Sequence, residues 1–137
     1  MNRAQEGRAR RDYWEFIAKL PCVVCYDKFY IWLMKQDAAV YVELLSMVQQ
    51  LAEKAGSIQR SRTEVAHMGR TTSRRGMAQK YPWVEVWPLC GGHHRECSES
   101  HHAGTATFWQ KCPQLDRDGI INLLIAVHAA KPVEVTI

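Results

Sequence analysis

Cys22 and Cys25 in Leu-Pro-Cys-Val-Val-Cys, together with Cys90 and His93 in Pro-Leu-Cys-Gly-Gly-His-His, constrain this chain more than any other feature. Two thiolates separated by two residues form one tight knuckle. A thiolate and an imidazole at the same spacing form a second, and the two knuckles can close tetrahedrally on one Zn²⁺. Such an ion would pin residues 22–25 against residues 90–93 and draw His67, His94, His101 and His102 toward one side of a small domain. The fourth ligand is open at this level. His93 or His94 completes the set at a spacing of two or three, and Cys97 is a competing sulfur. His93 is preferred, because it repeats the spacing of the first knuckle. A redox role for Cys22 and Cys25 would call for a thioredoxin-like βαβ pattern after them, which is not seen.

The remaining composition sets the frame for that ion. With 137 residues, 47% hydrophobic and 23% charged, the chain has the make-up of a globular protein. One domain is expected, large enough to bury a core and small enough to gain from a structural metal. No apolar run approaches the ~20 residues that span a bilayer. Residues 1–11 are polar and arginine-rich, unlike a secretory leader. Five cysteines, an odd number, read better as metal ligands and buried thiols than as a disulfide framework, so a cytoplasmic location is expected. The net charge is +4, and its distribution says more than its size. Arg60, Arg62, Arg70, Arg74, Arg75 and Lys80 face a single acid, Glu64, while Arg3, Arg8, Arg10 and Arg11 crowd the N-terminus. Clusters of this kind attract polyanions.

Periodicity places these residues on elements. Tyr13, Trp14, Phe16, Ile17 and Leu20 predict a helix over 10–20 that delivers Cys22. Apolar residues recurring at three and four predict one long helix over 30–55, ended by Gly56, with packing or homodimer formation as its role. Residues 63–68 predict a strand ending at His67, and 69–76 a basic glycine-punctuated loop. Val84, Val86 and their neighbouring tryptophans predict a second strand stopped by Pro88. Short helices are expected from His93 to about Cys97 and over 105–111. A mostly apolar helix follows over 116–130, and 133–137 would pair as an edge strand or fray. Trp83, Trp87, Phe108 and Trp109 read as core, and Cys97 and Cys112 as buried small hydrophobes.

The order Cys-x-x-Cys, Glu-Val-Ala-His (64–67), Arg-Gly-Met-Ala-Gln-Lys (75–80), Trp-Pro-Leu-Cys-Gly-Gly-His-His (87–94), His-His-Ala-Gly (101–104) and Phe-Trp (108–109) resembles the HNH nucleases. The likeness is closest to the small phage and prophage branch that includes recombination-enhancement nucleases, and it covers roughly residues 13–109. It implies an α+β fold in a single domain over 1–137: a zinc-braced ββα-metal core at about 13–112, a helical insertion at about 26–61 and a C-terminal helix at about 116–130. It also implies roles. Cys22, Cys25, Cys90 and His93 look like ligands of a structural Zn²⁺, His67 like the general base, and His94 like the ligand of a catalytic Mg²⁺ or Mn²⁺, with His101 beside it.

The chemistry of phosphodiester hydrolysis asks for the same groups. A neutral imidazole can take a proton from water, and a divalent ion can neutralise charge on the phosphoryl and leaving oxygens. Arg70, Arg74, Arg75 and Lys80 would hold the DNA backbone. In one place the pattern departs: three residues after Lys80 the resemblance calls for an acid, and the chain has Trp83, with Glu85 the nearest carboxylate. The resulting expectation is a metal-dependent DNA endonuclease. Its alternatives are a zinc-braced nucleic-acid-binding module of the same fold that has lost catalysis, and an assembly protein working through the helix at 30–55.

Overall fold

The computed structural model describes residues 2–36, 62–70, 82–96 and 105–130, together with positions 43, 44, 47, 50 and 54. These form a mixed helical and two-stranded structure, α+β as expected. No helix among the described residues is long and apolar enough to cross a membrane.

Helix α1, Arg3–Ala18, begins well before the expected residue 10 because Asn2 caps it. The Asn2 side chain accepts from the Gln5 amide at 2.9 Å, and the Gln5 side chain accepts from the Asn2 amide at 2.9 Å, which satisfies two N-terminal donors at once. Its second half buries Tyr13, Phe16 and Ile17 at three- and four-residue spacing, and Leu20 continues that stripe. The first half stands in solvent, and Arg3, Arg8, Arg10 and Arg11 are all exposed.

After α1 the chain turns through the first knuckle, closed by the Tyr26 amide on the Cys22 carbonyl at 3.0 Å. It then enters α2, Asp27–Met34. The phenol of Tyr30, fully buried, donates to the Pro21 carbonyl at 2.7 Å and so ties α2 to the knuckle. An unbroken helix over 30–55 is not what forms. The Lys35 and Gln36 amides bond three residues back, to Trp32 and Leu33, and the Gln36 side chain donates to the Trp32 carbonyl at 3.2 Å, so the last turn tightens and stops. Positions 43, 44, 47, 50 and 54 are again helical.

Strands β1, Thr63–His67, and β2, Val86–Cys90, pair antiparallel with Thr63 opposite Cys90 and His67 opposite Val86. Pro88 was expected to stop the second strand, yet β2 runs through it. The physical reason lies in which way its backbone faces. The Pro88 carbonyl points away from β1 and accepts from the Val23 amide at 2.9 Å, so the missing N–H costs the ladder nothing. The same bond docks the first knuckle along the outer edge of β2. At the other end Gly69 adopts a φ of 70°, and the Met68 and Gly69 amides both reach the Glu85 carbonyl, at 3.0 and 3.2 Å.

Beyond β2 a π-helical turn, Gly92–Glu96, replaces the ordinary helix expected from His93. Helices α3, Thr105–Lys111, and α4, Arg117–Ala129, fall where periodicity placed them. Trp87 of β2, completely buried, meets Trp109 of α3 edge-on at 5.4 Å, while Phe108 and Cys112 are buried beside it. Asp116 caps α4 by accepting from the Gly119 amide at 3.0 Å. At its far end His128 lies 5.0 Å from both Tyr13 and Phe16 and bonds Asp12 at 2.9 Å, which locks α4 to α1. The expected edge strand at 133–137 lies outside the described residues.

Two substitutions calibrate this architecture by urea unfolding. Asp116→Ala, which removes a cap, is expected to cost about 1 kcal/mol. Ile17→Ala, which hollows the centre of the core, is expected to cost ~2 to 5 kcal/mol. Equal losses in the two would contradict the burial assigned to Ile17.

Candidate metal centre

The edge bond between Val23 and Pro88 sets the two knuckles side by side, and four side chains converge where they meet. Cys22, Cys25, Cys90 and His93 place one ligand atom each within 4.8 Å of all the others, and the group could hold a metal ion. His93 Nδ1 stands 3.5 Å from Cys22 Sγ, 3.4 Å from Cys25 Sγ and 3.2 Å from Cys90 Sγ, and the Cys25 and Cys90 sulfurs are 3.8 Å apart. Three different elements supply the donors: the turn between α1 and α2, the last residue of β2, and the π-helical turn. No disulfide links the described cysteines.

Such close packing of thiols and an imidazole redistributes protons. Hydrogen bonds with Cys22 and Cys25 hold the Cys90 thiol far below its ordinary range. Bonds with Cys22 and Cys90 push Cys25 far above it. The sulfurs of Cys22 and Cys90 raise the His93 imidazole from 6.5 to about 10. Without a metal, the cluster therefore keeps protons that a cation would have to displace.

His94, the next residue, does not join this cluster. Its Nδ1 meets Glu64 Oε1 of β1 at 2.9 Å, and the ring is only 9% exposed. Arg95 closes on the same carboxylate through Nε, at 3.0 Å to Oε1 and 3.3 Å to Oε2, and through Nη2, at 2.7 Å to Oε2. The hydrogen bonds from Arg95 and then His94 outweigh burial and lower the Glu64 carboxyl to about 2. Sequence reading singled out His94 but missed the part played by Glu64 and Arg95. The available signal was a lone carboxylate within a run of cations.

His67, the last residue of β1, is exposed and lies edge-on to Trp14 of α1 at a centroid distance of 5.3 Å. Arg10 sits over the same indole at 5.4 Å. Because successive residues of a strand point to opposite faces, His67 leaves the ribbon on the face opposite Glu64. The structure thus gathers His93 with the cysteines and His94 with Glu64, and sets His67 apart beside α1. Arg70 is engaged within the fold: its guanidinium contacts the buried Glu85 carboxylate at 3.3 Å and the Asn122 side chain of α4, and its amide donates to Glu85 at 3.1 Å. Glu85, the carboxylate nearest the acid that the HNH pattern calls for, is thereby engaged with Arg70. Trp83 packs against the core edge, its carbonyl accepting the Trp14 indole N–H at 2.9 Å. Arg74, Arg75, Lys80, Cys97 and His101 lie outside the described residues.

Comparison of the chain with protein-family models, with curated proteins and with solved structures finds no match.

The cluster makes a quantitative demand. Titrated with a divalent thiophilic ion, the chain should take up one equivalent at this site. Because His93 holds its proton up to about 10, uptake at neutral pH should release protons and affinity should fall as pH is lowered. Calorimetry in buffers of different ionisation enthalpy measures that release. Cys90→Ser and His93→Ala should each abolish tight binding, and retention of full affinity in either would exclude the four-ligand site.

Proposed function

We propose that this chain is a zinc-braced, metal-dependent DNA endonuclease of the HNH type, with a ββα core made of β1, β2 and the turn carrying His93 and His94. The observation that carries the reading is the divergence of these two neighbouring imidazoles. One enters a sulfur cluster, and the other turns to a carboxylate on β1. In this reading the first imidazole belongs to a bracing centre and the second would face a catalytic ion. Zinc is the ion best suited to the first. Ligands on tetrahedral corners at ~2.3 Å for sulfur and ~2.0 Å for nitrogen stand about 3.8 Å apart sulfur to sulfur and about 3.5 Å sulfur to nitrogen. The cluster has 3.8 Å for Cys25 to Cys90 and 3.2 to 3.5 Å for the sulfurs to His93.

At the second centre His94 would hold a catalytic Mg²⁺ or Mn²⁺, which supplies charge neutralisation at the phosphoryl oxygens and at the departing 3′ oxygen. His67, exposed at the end of β1 and oriented by Trp14, would accept the proton of the attacking water. Arg10 sits over the same indole, and the exposed arginines of α1 extend a positive surface along the helix. In this reading Arg74, Arg75 and Lys80, which lie outside the described residues, would hold the DNA backbone.

A second reading, a nucleic-acid-binding module of the same fold without catalysis, draws on two particular observations. Strand alternation sends His67 and Glu64 to opposite faces, and Trp83 occupies the position where the HNH resemblance calls for an acid.

Supercoiled plasmid incubated with the zinc-loaded protein and Mg²⁺ or Mn²⁺ separates the two. A nuclease nicks the plasmid, and both His94→Ala and His67→Ala lose about a hundredfold or more in rate. A binding module retards the plasmid without nicking, and its affinity falls steeply as salt rises. Nicking by His67→Ala at the wild-type rate would refute the assigned base.

A further inference from the structure

We infer that the solvent-borne half of α1 is a docking face for duplex DNA, with Arg3, Arg10 and Arg11 closing on phosphates around Gly7 and Arg8 reaching in from one flank. The inference deepens the reading above, because it names the face by which this chain would hold DNA.

Packing gives the first half of α1 no reason to be ordered. None of residues 2–12 is buried, yet the helix is capped by the reciprocal bonds of Asn2 and Gln5 and runs unbroken into the core. A rigid segment that buries nothing serves as a presented surface. Its charge is of one sign: residues 2–11 carry four arginines against a single acid, Glu6. Among the described residues none of these arginines is held in an ion pair, and Asp12, the next acid, is turned to His128 at 2.9 Å. Unneutralised cations on a fixed rod draw a polyanion.

Helical geometry orders them. Arg3, Arg10 and Arg11 fall within an arc of about 100°, and Arg8 lies about 60° beyond Arg11. Arg3 and Arg11 are about 12 Å apart along the axis, a length over which a duplex carries about seven charges, so all four arginines can find phosphates together. Gly7 stands at the middle of the arc. A β-carbon there would meet nothing within 4 Å, so the fold itself has no need of glycine, which weakens a helix interior relative to alanine. Its use lies outside the chain. Bare backbone lowers the helix surface between the arginines, and a phosphate ridge can approach closely while they reach around it.

The same face selects its occupant. Trp14, one turn after Arg10, has Arg10 over its ring at 5.4 Å and gives its N–H to the Trp83 carbonyl at 2.9 Å. An indole so engaged is a poor platform for unpaired bases, which bind by stacking on open aromatic rings. A membrane surface fits no better. Interfacial helices bury Trp, Phe or Leu, and residues 2–12 offer only Ala4, Gly7 and Ala9.

The test follows the fluorescence anisotropy of a short mixed-sequence duplex with the full zinc-loaded chain, without Mg²⁺, through a salt titration. The quadruple variant Arg3→Gln, Arg8→Gln, Arg10→Gln and Arg11→Gln should stay folded and should lower the slope of log affinity against log salt by about 0.9 per arginine. Because it also removes the whole net charge of +4, a second variant separates seating from bulk attraction. Gly7→Leu should melt at or above wild type, since leucine favours helix, and should bind the duplex several-fold more weakly. An unchanged slope in the quadruple variant, or wild-type affinity in Gly7→Leu, would overturn the docking face, and plasmid nicking by wild type would then still support the nuclease. Tighter binding of a single strand or of anionic vesicles by wild type would overturn the choice of occupant. A slope that depends on α1 without any nicking upholds the docking face and removes the nuclease. Absence of duplex binding in wild type would overturn both.

Discussion

The hydrogen bond from the Val23 amide to the Pro88 carbonyl is the contact on which the arrangement turns. A two-stranded ribbon is marginal by itself, and its outer edge is an unpaired row of backbone groups. Here the first knuckle covers that edge, and in covering it carries Cys22 and Cys25 to Cys90, the last residue of β2. Proline at position 88 suits this geometry on both sides. It has no donor to waste on the outer edge, and its carbonyl is the acceptor that registers the knuckle. Residues far apart in the chain are thus aligned by backbone geometry before any ion is considered, and an ion would add its binding energy to a site already assembled.

The ligand set was legible in the sequence because its spacing is local: each knuckle is read within four residues, and only their meeting is long-range. The helices α3 and α4 were legible for a related reason, since apolar periodicity and a capping aspartate are written in contiguous residues. What escaped depended on partners elsewhere in the chain or on polar capping. The early start of α1 comes from the reciprocal bonds of Asn2 and Gln5, invisible to a search for apolar stripes. Passage of β2 through Pro88 depends on which edge meets β1, a tertiary fact. The halt of α2 at Met34 runs against continuing apolar periodicity, and it is enforced by local bonds of Lys35 and Gln36.

The candidate site divides along the same line. Histidines could be picked out one by one, but their pairing with acids could not. Glu64 seemed a stray acid among arginines and proves to be the residue that joins β1 to the turn. Glu85, the nearest carboxylate to the departing position at Trp83, holds Arg70, which in turn reaches Asn122 of α4. Each carboxylate sits where two or more cationic or N–H donors converge, and such convergence offsets the cost of burying a polar group. Arg70 is therefore held by an acid and not merely solvated.

Adjacency of His93 and His94 makes the sulfur cluster and the Glu64 contact mechanically dependent. The π-helical turn is five residues long and begins two residues after Cys90, so the orientation of one imidazole cannot change without turning the backbone that carries the other. With His93 held among the sulfurs, the backbone at His94 is set at the angle that meets Glu64. With His93 released, that angle is no longer imposed, and the bond across to β1 would have to hold the turn by itself against the conformational entropy of a short helical segment. An ion among the sulfurs would in this sense help to hold the His94–Glu64 contact. A single turn thus serves both the sulfur cluster and the tie to β1.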